Sequence, residues 1–178
     1  KELANIRGIG PAKAKNIKGY SEWGKIDAQL KKLDANGIKI VSFSNKDYPE
    51  MLKNIEDAPI VLYIKGIIQK EDRYAVAIVG SRKYSSYGKL AAEKLSSELS
   101  SMGFTIVSGM ARGIDTLAHT AAINSGGRSI AVLGSGIDVP YPPENRGLME
   151  KLAASGCVIS EFPPGTPPER ENFPKRNR

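Results

Sequence analysis

The sequence is poor in the residue types that cross-links and metal sites need. It has one cysteine, Cys157, and one histidine, His119, in 178 residues. A single thiol excludes an internal disulfide framework, and the two together leave too few ligands for a zinc site. Apolar runs stop at five or six residues, as in Ala75-Val76-Ala77-Ile78-Val79, far below the ~20 that span a bilayer. No charged start, apolar stretch and small-residue cleavage site marks a secretory signal. Two nucleotide fingerprints are missing as well. The dinucleotide motif G-x-G-x-x-G follows none of the apolar runs, since Gly134-Ser135-Gly136 continues into Ile137-Asp138-Val139. Gly19 to Gly24-Lys25 has the spacing of a P-loop, but Ile26 stands where Ser or Thr would hold magnesium. A reducing, cytoplasmic setting without metal, cofactor or membrane is the expectation.

What is present begins with charge and its placement. The net charge is +7. Residues 1 to 20 contribute +4, the last six residues contribute +3 through Lys175, Arg176 and Arg178, and the body between is neutral. Basic ends on a balanced body suit a polyanion, because Lys and Arg that neutralise phosphates release counterions. Solubilisation by basic termini explains the same charge equally well. The chain opens on Lys1 and closes on a basic tetrapeptide, so a piece of a longer protein, cut at its C-terminal end, is expected.

Two zones are legible. Residues 1 to 36 read as a small helical module. Leu3, Ile6, Ile9, Ala14 and Ile17 are spaced among lysines around Gly8-Ile9-Gly10, and Ile26, Leu30 and Leu33 recur at helical spacing. Helix, Gly-Ile-Gly, helix is the helix-hairpin-helix pattern, whose turn offers amides to a nucleic-acid phosphate; a plain helical hairpin is the competing explanation. From 37 to 178 strands alternate with helices. β-branched runs at 38–43, 60–64, 75–79, 105–107, 129–133 and 157–159 predict strands buried on both faces. Helices are predicted over 87–102, 115–123 and 143–154. The first of these presents Tyr87, Ala91, Leu95, Leu99 and Met102 as its core face. Repetition of this unit predicts an α/β fold: an extended Rossmann-type, doubly wound, mostly parallel sheet with a small N-terminal helical module.

Ligands of open parallel sheets bind beyond the carboxyl ends of the strands. Three successive ends carry small residues, two of them with arginine: Gly80-Ser81-Arg82, Ser108-Gly109-Met110-Ala111-Arg112-Gly113 and Gly134-Ser135-Gly136. Bare amides and guanidinium forks there predict a phosphate site, belonging to a mononucleotide, a dinucleotide or a nucleic-acid strand. The closing Phe173-Pro174-Lys175-Arg176-Asn177-Arg178 joins an aromatic to three cations, the combination that stacks a base while holding a backbone. Tyr84 and Tyr141 lie near strand ends and could stack too, whereas Tyr87 is expected to face the core. Catalysis has little support. Ser108, Asp115 and His119 superficially offer a triad, but Asp115 and His119 stand one turn apart and pair more simply with each other. Asp138, Glu144 and Glu161 follow strands without metal spacing, and Cys157 reads as packing.

Several motifs stand together in order. They are Tyr48-Pro49 with Leu52, Ala58-Pro59 before Leu62-Tyr63 and Lys65-Gly66, and Ile78-Val79-Gly80-Ser81-Arg82 with Tyr87-Gly88. Next come Ser108 to Asp115 with His119, Ala131-Val132-Leu133-Gly134 with Gly136-Ile137-Asp138, and Tyr141-Pro142. Ser160-Glu161-Phe162 and Phe173 to Arg178 close the series. Over residues 38 to 178 the chain resembles the DNA processing protein A (DprA/Smf) family. That resemblance implies a cytoplasmic, non-enzymatic homodimer that binds single-stranded DNA, protects incoming strands in natural transformation and loads the RecA recombinase. It places the strand on Gly80, Ser81 and Arg82, with Ser108, Gly109, Arg112 and Gly113 beside them, and Arg146, Phe173, Lys175, Arg176 and Arg178 around the groove. The alternative is a nucleotide or nucleoside-phosphate hydrolase using the same pocket, with Glu161 or Asp138 as acid/base.

Overall fold

A computed structural model describes Leu3, Ile6 and residues 9–178. The chain divides into two compact units, Lys1–Asn36 and Gly37–Arg178. In the first, α1 (Pro11–Lys18) starts behind Gly10 with proline in its first turn, and α2 (Trp23–Ala35) follows. Ala14 and Leu33 are its buried apolar residues, and Tyr20 meets Trp23 edge-on at 5.1 Å between ring centres. Gly8 and most of the first helix of the helix-hairpin-helix reading lie outside the described residues.

The second unit is built on one six-stranded sheet. Its elements in chain order are β1 (Ile38–Ser42), β2 (Val61–Gly66), β3 (Ala75–Ala77), α3 (Ser86–Ser101), β4 (Thr105–Ser108), α4 (Ile114–Asn124), β5 (Ser129–Leu133), α5 (Arg146–Ser155), β6 (Cys157–Ser160) and α6 (Asn172–Asn177). The spatial order is β1-β2-β6-β5-β4-β3. Strands β3 to β6 pair in parallel, while β1–β2 and β2–β6 are antiparallel. This is a Rossmann-like, mostly parallel α/β sheet. Because β3, β4, β5 and β6 lie side by side in sequence, each right-handed crossover returns over the same face, and α3 packs on α4 and α4 on α5.

Alternation along the strands separates two cores. Ile106 points towards Ala118 and Ala122 of α4. Ile130, Cys157 and Ile159 point the other way, where Val41, Leu62 and Ile64 join Tyr48 and the half-buried Leu52 and Ile68. Tyr48 is anchored by its hydroxyl, which donates to the Pro59 carbonyl at 2.7 Å.

The predicted core face of α3 is corrected. Ala92, Ser96 and Ser100 are buried, whereas Tyr87, Leu95 and Met102 are 80%, 52% and 72% exposed. Small residues win because α3 approaches α4 closely. Ser100 Oγ donates to the Ala122 carbonyl, and a Cβ on Gly127 would collide with the Ser100 side chain. The apolar stripe therefore lies beside the buried one and joins the core only at the half-buried Leu99, which packs against the Ile106, Ala118 and Ala122 cluster.

Candidate nucleic-acid interface at the strand ends

The strand ends of β3, β4 and β5 converge, and two amides of the second loop are already taken. Asp115, buried in the first turn of α4, accepts the N–H groups of Gly109 and Ala111 at 3.2 and 3.3 Å. Ser108 Oγ donates to the Ile78 carbonyl at 2.6 Å, and Ser81 Oγ to Lys83 O at 2.6 Å. Gly113, at φ +88°, lies so near the Gly80-Ser81-Arg82 loop that a Cβ would fall 2.3 Å from the Ser81 carbonyl. Ile114 N–H donates to that same carbonyl. These small residues thus let loops pack on one another. Gly109 and Ala111 therefore give their amides to Asp115 and not to an anion, and the first loop is packed against the second.

Packing of this kind fixes the side chains that rise from the loops. Arg82, Arg112 and the half-buried Phe173 border an open depression of about 380 Å³, open solvent included. Its walls continue through Ala111, Gly134 and Ser135 to Tyr141 and Pro142, joined by a cis peptide bond. Phe173 belongs to α6, which the buried Asn172 begins by donating to the Pro167 carbonyl. The ring seats against Gly134, where a Cβ would stand 2.7 Å from it, and lies 5.8 Å from the Tyr141 ring centre. Two guanidiniums flank it, Arg82 at 5.9 Å and Arg176 at 5.8 Å from its centroid, within cation–π range.

The cations differ in what else they hold. Arg176 Nη1 donates to the carbonyls of Gly109 and Val132 at 2.7 and 2.6 Å, tying α6 to the ends of β4 and β5. Burial lowers its pKa, partly offset by Asp115. Arg178 forms a bidentate pair with Glu161 and also donates to the Asp57 carbonyl. Arg112 pairs through Nε with Glu144. Arg82 is exposed and engages no hydrogen bond or ion pair among the described residues.

His119, fully buried, does not pair with Asp115, a second correction. Its Nδ1 lies 2.7 Å from Ser129 Oγ. That hydroxyl gives its proton to the Ile106 carbonyl, so Nδ1 carries hydrogen and donates. Burial, then the nearby Arg176 charge, push the imidazole down to about 3, with the Ser108 backbone partly opposing. Among the described residues no group of three or more His, Cys, Asp or Glu is placed to hold a metal ion. No described helix is long and apolar enough to cross a membrane.

The family profile described as DNA recombination-mediator protein A matches residues 39–178. The chain belongs to that family. It is 47% identical over 180 residues to Protein Smf of Synechocystis sp., covering 99% of this chain and 45% of that one. It is 41% identical over 145 residues to the DNA processing protein DprA of Bacillus subtilis, covering 80% and 48%. The chain thus spans about half the length of these curated relatives. Among solved structures, the DNA processing protein A of Streptococcus pneumoniae superposes with a TM-score of 0.84 at 34% identity, covering 99% of this chain and 59% of that one. That of Helicobacter pylori, described for its single-stranded DNA binding mode, gives 0.69 at 28% identity over 79% and 62%.

Within this member of the recombination-mediator family, the residues singled out from sequence occupy three kinds of place. Arg82, Gly109, Arg112 and Phe173 line the depression. Gly80, Ser81, Ser108, Gly113 and Arg176 are not in its lining and shape the loops around it. Arg146 and Lys175 are exposed but outside the lining, and Arg178 is paired to Glu161. Sequence reasoning gave no weight to Pro142 as a wall or to Glu144 as a partner. The Tyr141-Pro142 motif was the available signal for the first; for the second there was none, since 32 residues separate Glu144 from Arg112.

Proposed function

We propose that this protein binds single-stranded DNA at the strand-end depression and acts by binding, without chemical turnover. The observation that carries the reading is the free Arg82 guanidinium beside the Phe173 ring, with Arg112 on the same rim. A cation for phosphate beside an aromatic wall for a base suits an unpaired strand, whose bases can leave the stack. The solved Helicobacter pylori relative, described as binding single-stranded DNA, supports the assignment. The absence of turnover is supported by the state of the two candidate acids: Asp138 accepts the Gly165 N–H at 2.7 Å and Glu161 is held by Arg178. Protection of strands in transformation, loading of RecA, homodimerisation and a cytoplasmic setting belong to the same proposal. The uncovered apolar stripe of α3 offers surface for a protein partner.

The test is a titration of labelled oligothymidine and a matched duplex. Arg82→Ala weakens single-strand binding at least about tenfold, the size of a lost charged hydrogen bond, and the protein prefers the unpaired strand. Equal binding by the variant, or equal affinity for duplex, overturns the reading. Sedimentation of the free protein checks the dimer, and RecA filament growth on preloaded strands checks the hand-over.

A further inference from the structure

The Arg112–Glu144 pair is built into the fold. Asn145, buried next to Glu144, donates through Nδ2 to the Met110 carbonyl at 3.0 Å and to Thr116 Oγ1 at 2.9 Å. Thr116 Oγ1 in turn donates to the Ala111 carbonyl at 2.7 Å. The backbone before Arg112 and the turn carrying Glu144 are therefore joined by hydrogen bonds in the interior, and the two side chains meet at a preset spacing. Glu144 takes only the Nε side of the guanidinium. No partner occupies Nη1 or Nη2 among the described residues, while Arg112 itself lines the depression.

That arrangement bears on charge more than on stability. Both side chains are over half exposed, and surface pairs of this kind add little to the stability of a fold. Arg176 is occupied by carbonyls and Arg178 by Glu161, so Arg82 and Arg112 are the rim cations left for an anion. One of these two carries a carboxylate. The hydrogen bond from Arg112 holds the Glu144 carboxyl below its ordinary range, so it stays charged near neutral pH.

We propose that Glu144 is a built-in competitor for the strand phosphate, which weakens the grip of Arg112 and speeds release of the bound strand. The inference rests on the single-strand reading above and deepens it. A phosphate approaching the free Nη edge of Arg112 meets a carboxylate on the same guanidinium, and like charges brought together across a site lower affinity. The protein then holds a strand exchangeably, as a protein that passes strands on requires.

Fluorescence anisotropy of labelled oligothymidine, over a series of KCl concentrations, tests this with four proteins: wild type, Glu144→Gln, Arg112→Ala and the double variant. Glutamine keeps an acceptor for Nε and removes the charge. Glu144→Gln is expected to bind about three- to tenfold tighter at low salt, to dissociate more slowly, and to steepen the log–log salt dependence by about 0.7, one phosphate's worth for a single strand. The gain disappears in the Arg112→Ala background. If Glu144→Gln binds equally or more weakly while wild type binds and Arg82→Ala does not, this inference alone is overturned. If wild type fails to bind, the single-strand reading falls and takes the inference with it.

Discussion

Residues that look catalytic in the sequence turn out to have structural roles, and His119 makes this measurable. The buried imidazole is held down to about 3, against an ordinary 6.5, by burial first and by Arg176 second. Below pH 6.5 the unfolded chain takes up a proton that the folded protein refuses until about pH 3. The stabilisation is complete above 6.5 and is lost as pH falls through that window, at about 1.4 kcal/mol per pH unit. Urea unfolding from pH 6.5 to 4.5 should show this slope in wild type. In His119→Asn, whose amide can still donate to Ser129, the His119 contribution should be gone; an unchanged slope would show that another group titrates. A structural role for His119 was legible but its partner was not, since helical spacing to Asp115 is visible in one dimension and Ser129 across the layer is not. The same limit hid Glu144. Arg82, Arg112 and Phe173 were legible because each stands at a strand end or in a motif, whereas which arginine is free depends on pairings between distant segments.

Elements were legible wherever one periodicity dominated. The six β-branched runs all became strands, with boundaries displaced by at most two residues, but the expected burial on both faces holds only for β4, β5 and β6, because β1 and β3 lie at the sheet edges and stay largely exposed. The face of α3 was not legible: hydrophobicity marked Tyr87, Leu95 and Met102, but close helix packing selected Ala92, Ser96 and Ser100. Nor was the tie at the opposite edge of the sheet from the depression. There Arg128, just before β5, donates to both carboxylate oxygens of Asp72 at 3.0 and 2.9 Å and to the carbonyls of Ile67 and Ser155. Thr105, opening β4, donates to the same carboxylate at 2.7 Å. Burial alone would raise the Asp72 pKa, but these bonds, with that from Gln69 N–H, hold it below the ordinary range. One ion pair thus ties segments adjoining β2, β3, β4, β5 and α5. Arg128→Ala leaves Asp72 without its counter-charge and should cost about 3 kcal/mol in urea unfolding. The double variant Asp72→Asn/Arg128→Met should recover part of that loss. A loss under 1 kcal/mol in Arg128→Ala would show that the pair merely decorates the edge.

At the scale of the larger unit, β6 is the seam. It pairs antiparallel with β2 and parallel with β5, so the hairpin-like half and the Rossmann-like half share its hydrogen bonds. Cys157 opens this strand, fully buried, with its thiol pushed up to about 12, chiefly by burial and further by Asp72. A thiol of that kind is unreactive in place, because the thiolate is the nucleophile and the side chain is shielded. Its side chain packs among Val41, Leu62 and Ile64 of the first half and Ile130 of the second, so exposing Cys157 requires that shared core to open. As the only cysteine in the chain, it reports that event without background. Labelling by a thiol reagent at neutral pH should therefore be slow in buffer, and its rate should rise with denaturant at the slope of global unfolding. Saturating oligothymidine should slow it further, in proportion to the ratio of ligand concentration to Kd, since a ligand bound only by the folded state lowers the unfolded fraction by that factor. Rapid labelling that ignores denaturant would mean that β6 detaches locally and that the two halves of the sheet are not one cooperative unit.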